Sequence, residues 1–169
     1  MVMLVAMFER QKPLKLFARL GNYLNIAKML MKYIQGIWLN IWTYAEFNET
    51  LKDWHKALKI GGKLHIICPD LDFHIGQFKN AIFDEENFNN KWSNFSHGVA
   101  GLYGWQRECD IDNKDTKTKY WDVHKSDYNK EIMYFYLSRN GFVDIDIKTV
   151  DKWHLVAVVL KIMYKVYSI

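Results

Sequence analysis

The sequence predicts an α/β domain in which a partial parallel sheet ends in a C-terminal antiparallel β-hairpin and follows an atypical helical N-terminus. Two local patterns predict this class: a helix, a glycine pair and an apolar strand over 43–68, and a helix followed by two strands near the C-terminus. The chain has 169 residues, is 50% hydrophobic and has two prolines, so it can bury a core. We expect an atypical segment at 1–42 and the α/β domain at 43–169, with an insertion at 73–125.

The N-terminal segment is apolar and basic. Residues 1–40 hold six Lys or Arg against one acid, and the rest of the chain holds 17 against 18. The polar residues of "YLNIAKMLMKYIQGIWLNIW", residues 23–42, fall on one narrow helical stripe. We therefore expect a helix that is buried, binds a protein partner or a second copy, or rests on a membrane surface. Because the positive charge is confined to this segment, nucleic-acid binding by the main domain is not expected.

The first α/β unit begins at Thr43, where "TYAE" is a capping-box pattern with Glu46. An apolar stripe at helical spacing follows, at Phe47, Leu51, Trp54 and Leu58. We expect Gly61 and Gly62 to end this helix, since glycine adopts the left-handed cap conformation at little cost. "KLHIIC", residues 63–68, then predicts a buried parallel strand.

The second unit begins with a helix that Ser126 or Asp127 can cap and that Gly141 closes. Its expected apolar side consists of Tyr128, Ile132, Phe135 and Tyr136. "FVDIDIK" alternates strictly, with its isoleucines and valine on one face and its two aspartates on the other. "HLVAVVLKIM" is more apolar, which predicts a more central strand, and the short connection predicts an antiparallel hairpin.

The insertion at 73–125 has no clear period after a possible short helix at 73–83. A long ordered segment rich in aromatic and polar groups indicates either a functional insertion or a surface excursion that packs its own aromatics. Both interpretations stay open.

The stretch "FNETLKDWHKALKIGGKLHIICPDLD", residues 47–72, resembles class I S-adenosylmethionine-dependent methyltransferases, where a segment like "VLKPGG" leads into the fifth strand. "GLYGWQ", "HKSDY", "RNGFVDIDI" and "WHLVAVVLK" are similar to a branch that modifies small molecules or saccharides. The resemblance covers roughly 45–162, the C-terminal two-thirds of a normal domain. It implies a partial Rossmann-like methyltransferase sheet with a sixth strand and an antiparallel seventh. It also implies S-adenosylmethionine as cofactor and a small-molecule or saccharide acceptor.

The sequence departs from this family in its N-terminal part. The family binds its cofactor through a glycine-rich loop and an acid after the second strand. Here Gly21 is the one candidate remnant, and no acid occurs between Glu9 and Glu46. The cofactor-binding residues are therefore unknown, and the sequence looks truncated, rearranged or frameshifted. Two functions stay open: a methyltransferase with an atypical or shared cofactor site, and a non-catalytic remnant or partner-binding subunit.

Candidate site residues lie after the predicted strand and in the insertion. The proposed catalytic residues are Asp70, His97 and His124, because carboxylates and imidazoles can act as general bases. The proposed substrate-binding residues are Asp72, Tyr103, Trp105 and Gln106. The alternatives are helix capping for Asp70 and Asp72, aromatic packing for the tyrosine and tryptophan, and structural or solvated histidines.

Two cysteines without an evident signal peptide indicate a reducing, cytoplasmic setting. No metal site is expected, because Cys68, Cys109, His97 and His124 include no closely spaced ligand pair.

Overall fold

A computed structural model describes residues 4–6, 31–37, 39–90, 92–105 and 123–162. Its strands form one five-stranded sheet in the order β1-β2-β3-β5-β4. Strands β1, β2 and β3 are parallel, whereas β5 runs antiparallel to both β3 and β4. The strand bounds are β1 Leu4–Ala6, β2 Met31–Ile37, β3 Leu58–Pro69, β4 Phe142–Val150 and β5 His154–Lys161. The α/β class, the C-terminal antiparallel hairpin and the more central position of its second strand are confirmed.

Five α-helices accompany the sheet in the part of the chain that the structure describes. They are α1 Tyr44–Ala57, α2 Leu71–Lys79, α3 Glu85–Asn89, α4 Asn94–Tyr103 and α5 Lys130–Arg139. No helix within the described ranges is both long enough and apolar enough to cross a membrane.

The prediction of a helix over 23–42 is wrong at 31–37, which form strand β2. This strand pairs with β1 on one side and β3 on the other, and Ile37 lies opposite Ile67. A short apolar run does not distinguish a buried strand from a buried helix by its period, and here pairing on both edges decides. Residues 39–41 form one 3-10 turn. The expected contact of this segment with a partner or a membrane stays a prediction. Residues 23–30 lie outside the described ranges.

Helix α1 begins as its sequence predicts. Thr43 Oγ1 accepts from the backbone N–H of Glu46, and Glu46 Oε2 accepts from the backbone N–H of Thr43 at 2.8 Å. All four residues of the predicted apolar stripe are buried.

The expectation that the glycine pair ends α1 is wrong. The helix ends at Ala57, and Leu58 is already extended at the start of β3. Leu58 lies opposite Met31 and Lys63 opposite Tyr33, so β3 carries extra residues between these two pairs. Gly61 has a φ of +74°, which favours glycine. The pair therefore forms a bulge within the strand instead of a helix cap.

Helix α5 begins later than predicted. Its cap is Asn129, whose Oδ1 accepts from the backbone N–H of Ile132 at 2.9 Å, so capping by Ser126 or Asp127 is wrong. Gly141, with a φ of +83°, follows the C-cap as expected. Of the predicted apolar side, Tyr128 is buried and Ile132 and Tyr136 pack half-buried against the core, whereas Phe135 is exposed. Met133 and Leu137 complete the buried face.

The insertion is more regular than predicted. Helix α2 confirms the expected short helix, but α4 occupies a stretch expected to be irregular. Gly98 and Gly101, three residues apart on α4, bring it close to α2: a Cβ on Gly98 would lie 2.7 Å from the Phe78 Cα. Glycine disfavours a helix by intrinsic propensity, and the close packing between the two helices overrides that preference.

The main core lies between the sheet and helices α1 and α5. Its buried side chains come from these helices, from β3 and from β5, and include Phe47, Leu51, Leu64, Ile66, Tyr128, Met133, Leu137, Leu155 and Val159. In β4, the half-buried Val143, Ile145 and Ile147 alternate with exposed aspartates as predicted. The alternation survives a register irregularity at Asp144, whose φ is +49°.

Candidate active site at the carboxyl edge of the sheet

The parallel strands β2 and β3 end side by side. Asn40 follows the end of β2, and Asp70 follows the end of β3 directly. Ligands of open α/β sheets bind outside the carboxyl ends of the strands. This edge is therefore the candidate site, and it includes the "PDLD" carboxylates that the sequence singled out.

Asp70 is fully engaged in structural contacts. Its Oδ1 accepts from the backbone N–H of Asp72 at 3.1 Å and caps α2, and its Oδ2 accepts from the Thr149 hydroxyl at 2.9 Å. Its backbone N–H donates to the Trp153 carbonyl, so this residue ties β3 to the hairpin. Asp72 Oδ1 accepts from Asn129 Nδ2 at 3.3 Å. These contacts favour the capping alternative for Asp70, while a catalytic or substrate-binding role for either aspartate stays a prediction.

A polar cluster that the sequence did not reveal surrounds Asp127. Its Oδ1 accepts from Asn40 Nδ2 at 2.8 Å, and its backbone carbonyl accepts from the Tyr44 hydroxyl at 2.8 Å. Asn40 is 1% exposed, and its Oδ1 has no hydrogen-bond partner among the residues that the structure describes. A buried amide oxygen without a donor is costly, so this atom needs a donor that the described residues do not supply.

His124 belongs to the same cluster. Its Nδ1 lies 2.8 Å from the Gly101 carbonyl oxygen and 3.6 Å from Asp127 Oδ1. Because a carbonyl can only accept, Nδ1 carries the hydrogen and Nε2 is the basic nitrogen of the neutral ring. The arrangement is that of a general base with a carboxylate beside it.

His74 is a third component that sequence reasoning missed. It lies on α2, is 7% exposed, and its Nδ1 donates to the His97 carbonyl at 3.0 Å. Burial lowers the pKa of His74, and the neighbouring His97 and His124 lower it further, while the bond to His97 and the charge of Asp127 oppose this. The one available sequence signal was its position three residues after Leu71, on the same helical face.

The ring of His97, one of the predicted residues, lies among three tryptophans, of which Trp105 was also predicted. The His97 ring centroid lies 5.6 Å from that of Trp92, 6.5 Å from Trp105 and 5.8 Å from Trp153. Tyr103 touches the polar cluster through its backbone, since its carbonyl accepts from the His124 N–H at 3.2 Å. The structure therefore brings His97, His124, Tyr103 and Trp105 to one region.

Two of the sequence-based candidates, Gln106 and Cys109, lie outside the described residues. Cys68 is buried in β3, and burial raises the pKa of its thiol far above the usual range, so it is an unreactive core residue. No group of three potential metal ligands occurs within the described ranges.

Acidification should destabilise the fold through the buried His74 and the half-buried His55 and His65. Burial lowers the pKa values of His55, His65 and His74 in the folded chain, so the unfolded chain binds more protons between the folded pKa and about 6.5. Their contribution to stability is complete above about pH 6.5 and is lost as the pH falls through the folded pKa values. Urea unfolding from pH 7.5 to 5.0 should show this decline, and His74→Gln should make it shallower. An identical decline in this variant would contradict the assignment to His74.

Comparisons with known proteins find distant similarity to solved structures and no match in sequence. No protein-family model and no curated protein matches the sequence. Among solved structures, the chain is similar to human N-acetylserotonin methyltransferase in complex with SAM, at 12% identity over 78% of this chain and 30% of that chain, with a TM-score of 0.46. It is also similar to a SAM-dependent methyltransferase from Methanosarcina mazei, at 13% identity over 79% and 60% of the two chains, with a TM-score of 0.49.

A third similar structure is a protein from Pyrococcus horikoshii, at 14% identity over 95% and 71% of the two chains, with a TM-score of 0.48. The chain thus spans less than two thirds of both methyltransferases. Residue roles, substrate and activity do not transfer at these identities.

Proposed function

We propose that this chain forms part of an S-adenosylmethionine-dependent methyltransferase domain that acts on a hydroxyl group of a small molecule or saccharide. The observation that carries the proposal is the sheet order. Parallel β3 contains all of the "ALKIGG" segment except its first residue, and antiparallel β5, the last described strand, inserts between β3 and β4. This arrangement supports the sixth strand and antiparallel seventh that the sequence resemblance implies.

The residues present do not fit a conventional cofactor site. The sequence between β1 and β2, residues 7–30, has Gly21 as its single glycine and Glu9 as its single acid. A glycine-rich loop needs several glycines for the backbone to approach the cofactor, and the ribose needs an acid near the second strand. When bound, the cofactor would supply the methyl group.

The described residues can prepare an acceptor hydroxyl. His124 Nε2 can accept its proton, and the carboxylate of Asp127, 3.6 Å from Nδ1, can stabilise the resulting imidazolium. Asn40 holds that carboxylate in position through its 2.8 Å bond. The Trp105 and Trp153 rings, next to His97, offer faces on which a sugar or aromatic ring can stack. The chemistry of the site is thus that of deprotonating a bound alcohol.

Titration calorimetry of the folded chain with S-adenosylmethionine and S-adenosylhomocysteine tests the cofactor. The proposal requires saturable binding at micromolar strength, about −8 kcal/mol, through a site of an unconventional kind. If neither compound binds to a chain with a cooperative unfolding transition, autonomous methyl transfer is excluded and the non-catalytic alternative stands. If they bind, transfer of a labelled methyl group to a panel of phenols and saccharides follows. His124→Gln should then abolish transfer but retain cofactor binding.

A further inference from the structure

A cavity lies away from the carboxyl-edge site, between α3 and the start of α4. Its volume is about 420 Å³, and its lining consists of Phe83, Asp84, Glu85, Phe88 and Phe95. The volume is in the range of pockets that hold small ligands. None of these residues takes part in the polar cluster or in the aromatic contacts of His97, so the cavity is a separate feature.

Three phenylalanine rings form its apolar walls. The Phe95 centroid lies 5.4 Å from that of Phe83, with the two planes at 77°, and 5.8 Å from that of Phe88. Phe83 and Phe88 are nevertheless 69% and 67% exposed. Differently oriented rings that stay open to solvent present both faces and edges to a ligand, and such an apolar patch on a surface commonly marks a binding site.

The charge beside these rings is negative. Residues 80–90 contain three acids and no Lys or Arg. Two bonds from Asn87, both of 2.7 Å, end on Asp84 Oδ1 and lower the pKa of this carboxyl, so it is ionised at neutral pH. Glu85 is exposed at the rim. An anion would be repelled here, whereas a cation gains from the carboxylates and from the negative faces of the rings.

We propose that this cavity, defined by Phe83, Phe88 and Phe95 with Asp84 and Glu85, binds a small organic cation with a quaternary ammonium head group. The rings surround the alkyl groups of the cation, and the two carboxylates balance its charge. A quaternary ammonium suits this combination because it has apolar methyl groups, carries a permanent charge and needs no hydrogen-bond acceptor.

The test compares choline with 3,3-dimethylbutan-1-ol, a neutral compound of the same shape, each titrated into the full chain and followed by NMR chemical shifts. Choline should perturb the resonances of residues 83–95 and saturate, and the neutral compound should bind about 2- to 5-fold more weakly, as expected for cation–π contacts at an exposed site. Equal affinities would mean a purely apolar cleft and would overturn the proposal. So would the absence of binding by choline.

Two variants distinguish charge from ring contributions. Glu85→Gln at the exposed rim should weaken choline binding and leave binding of the neutral compound unchanged. The matched variant Glu131→Gln, at an exposed position of α5, should change the binding of neither compound. Phe95→Leu keeps an apolar wall but removes the central ring, so it should reduce the preference for choline. If Glu85→Gln and Phe95→Leu both retain the full preference, the site lies elsewhere and the proposal fails. Choline binding is measured without S-adenosylmethionine, so its failure is distinguishable from a failure of cofactor binding.

Discussion

Phe47→Ala should lower the free energy of unfolding by about 3–5 kcal/mol, the usual cost of truncating a buried phenylalanine to alanine. Phe47 is 0% exposed in the core between α1, α5 and the sheet. Its ring lies edge-on to Tyr128 at 4.9 Å and to Tyr136 at 5.6 Å between centroids. Both partners are held by other contacts, since Tyr128 accepts from the Ser126 hydroxyl at 2.9 Å, so the cavity cannot collapse easily. Urea unfolding followed by circular dichroism measures the loss.

Tyr134→Ala is the matched control for this change. Tyr134 is an aromatic residue of α5 but is 56% exposed, so its removal should change stability by no more than about 0.5 kcal/mol. A loss below about 1 kcal/mol for Phe47→Ala would contradict the packing of α1 against α5.

Gly101→Ala should destabilise the chain by about 1–3 kcal/mol, the usual cost of forcing an extra carbon into a packed interface. A Cβ at Gly101 would overlap the His74 imidazole and lie 2.6 Å from the His74 Cβ. To relieve this overlap, α4 must move away from α2, which also weakens the bond between His74 and the His97 carbonyl. Urea unfolding gives the stability change, and the NMR signal of the His74 ring reports the bond.

Gly76→Ala, in the same pair of helices, should have the opposite effect on stability. Gly76 lies within α2, and a Cβ there meets nothing within 4 Å. The better helix propensity of alanine should stabilise the chain by up to about 1 kcal/mol. Changes of the same sign in Gly76→Ala and Gly101→Ala would show that α2 and α4 do not pack as described.

Much of the fold could be predicted because it depends on contacts between near neighbours in sequence. The capping box at Thr43, the apolar run of β3 and the hairpin of β4 and β5 each have a local pattern that leaves few alternatives. The errors occur where distant pairing decides. Residues 31–37 are a strand because β1 and β3 lie on either side, and Gly61 and Gly62 bulge because β3 has to match β2.

In the candidate site, too, some features depend on near neighbours in sequence and others on residues far apart. The sequence predicted Asp70 at the carboxyl end of a strand, since an aspartate after "IICP" is visible in one segment. Its engagement by Thr149, 79 residues later, is not visible there. Asn40 and Asp127, which are 87 residues apart, meet only when β2 and the segment before α5 reach the same edge of the sheet.

By itself, the sequence determined the α/β class, the order of helix and strand in each local unit, and the candidate residues His97, His124 and Trp105. The class and the element order follow from hydrogen bonds and side-chain periods that span a few residues. Only the tertiary structure decided that β2 is a strand, that Gly98 and Gly101 join two helices, and that His74, Asn40 and Asp127 surround His124. Such contacts join residues far apart in the chain, so their geometry depends on how the whole sheet and its helices pack.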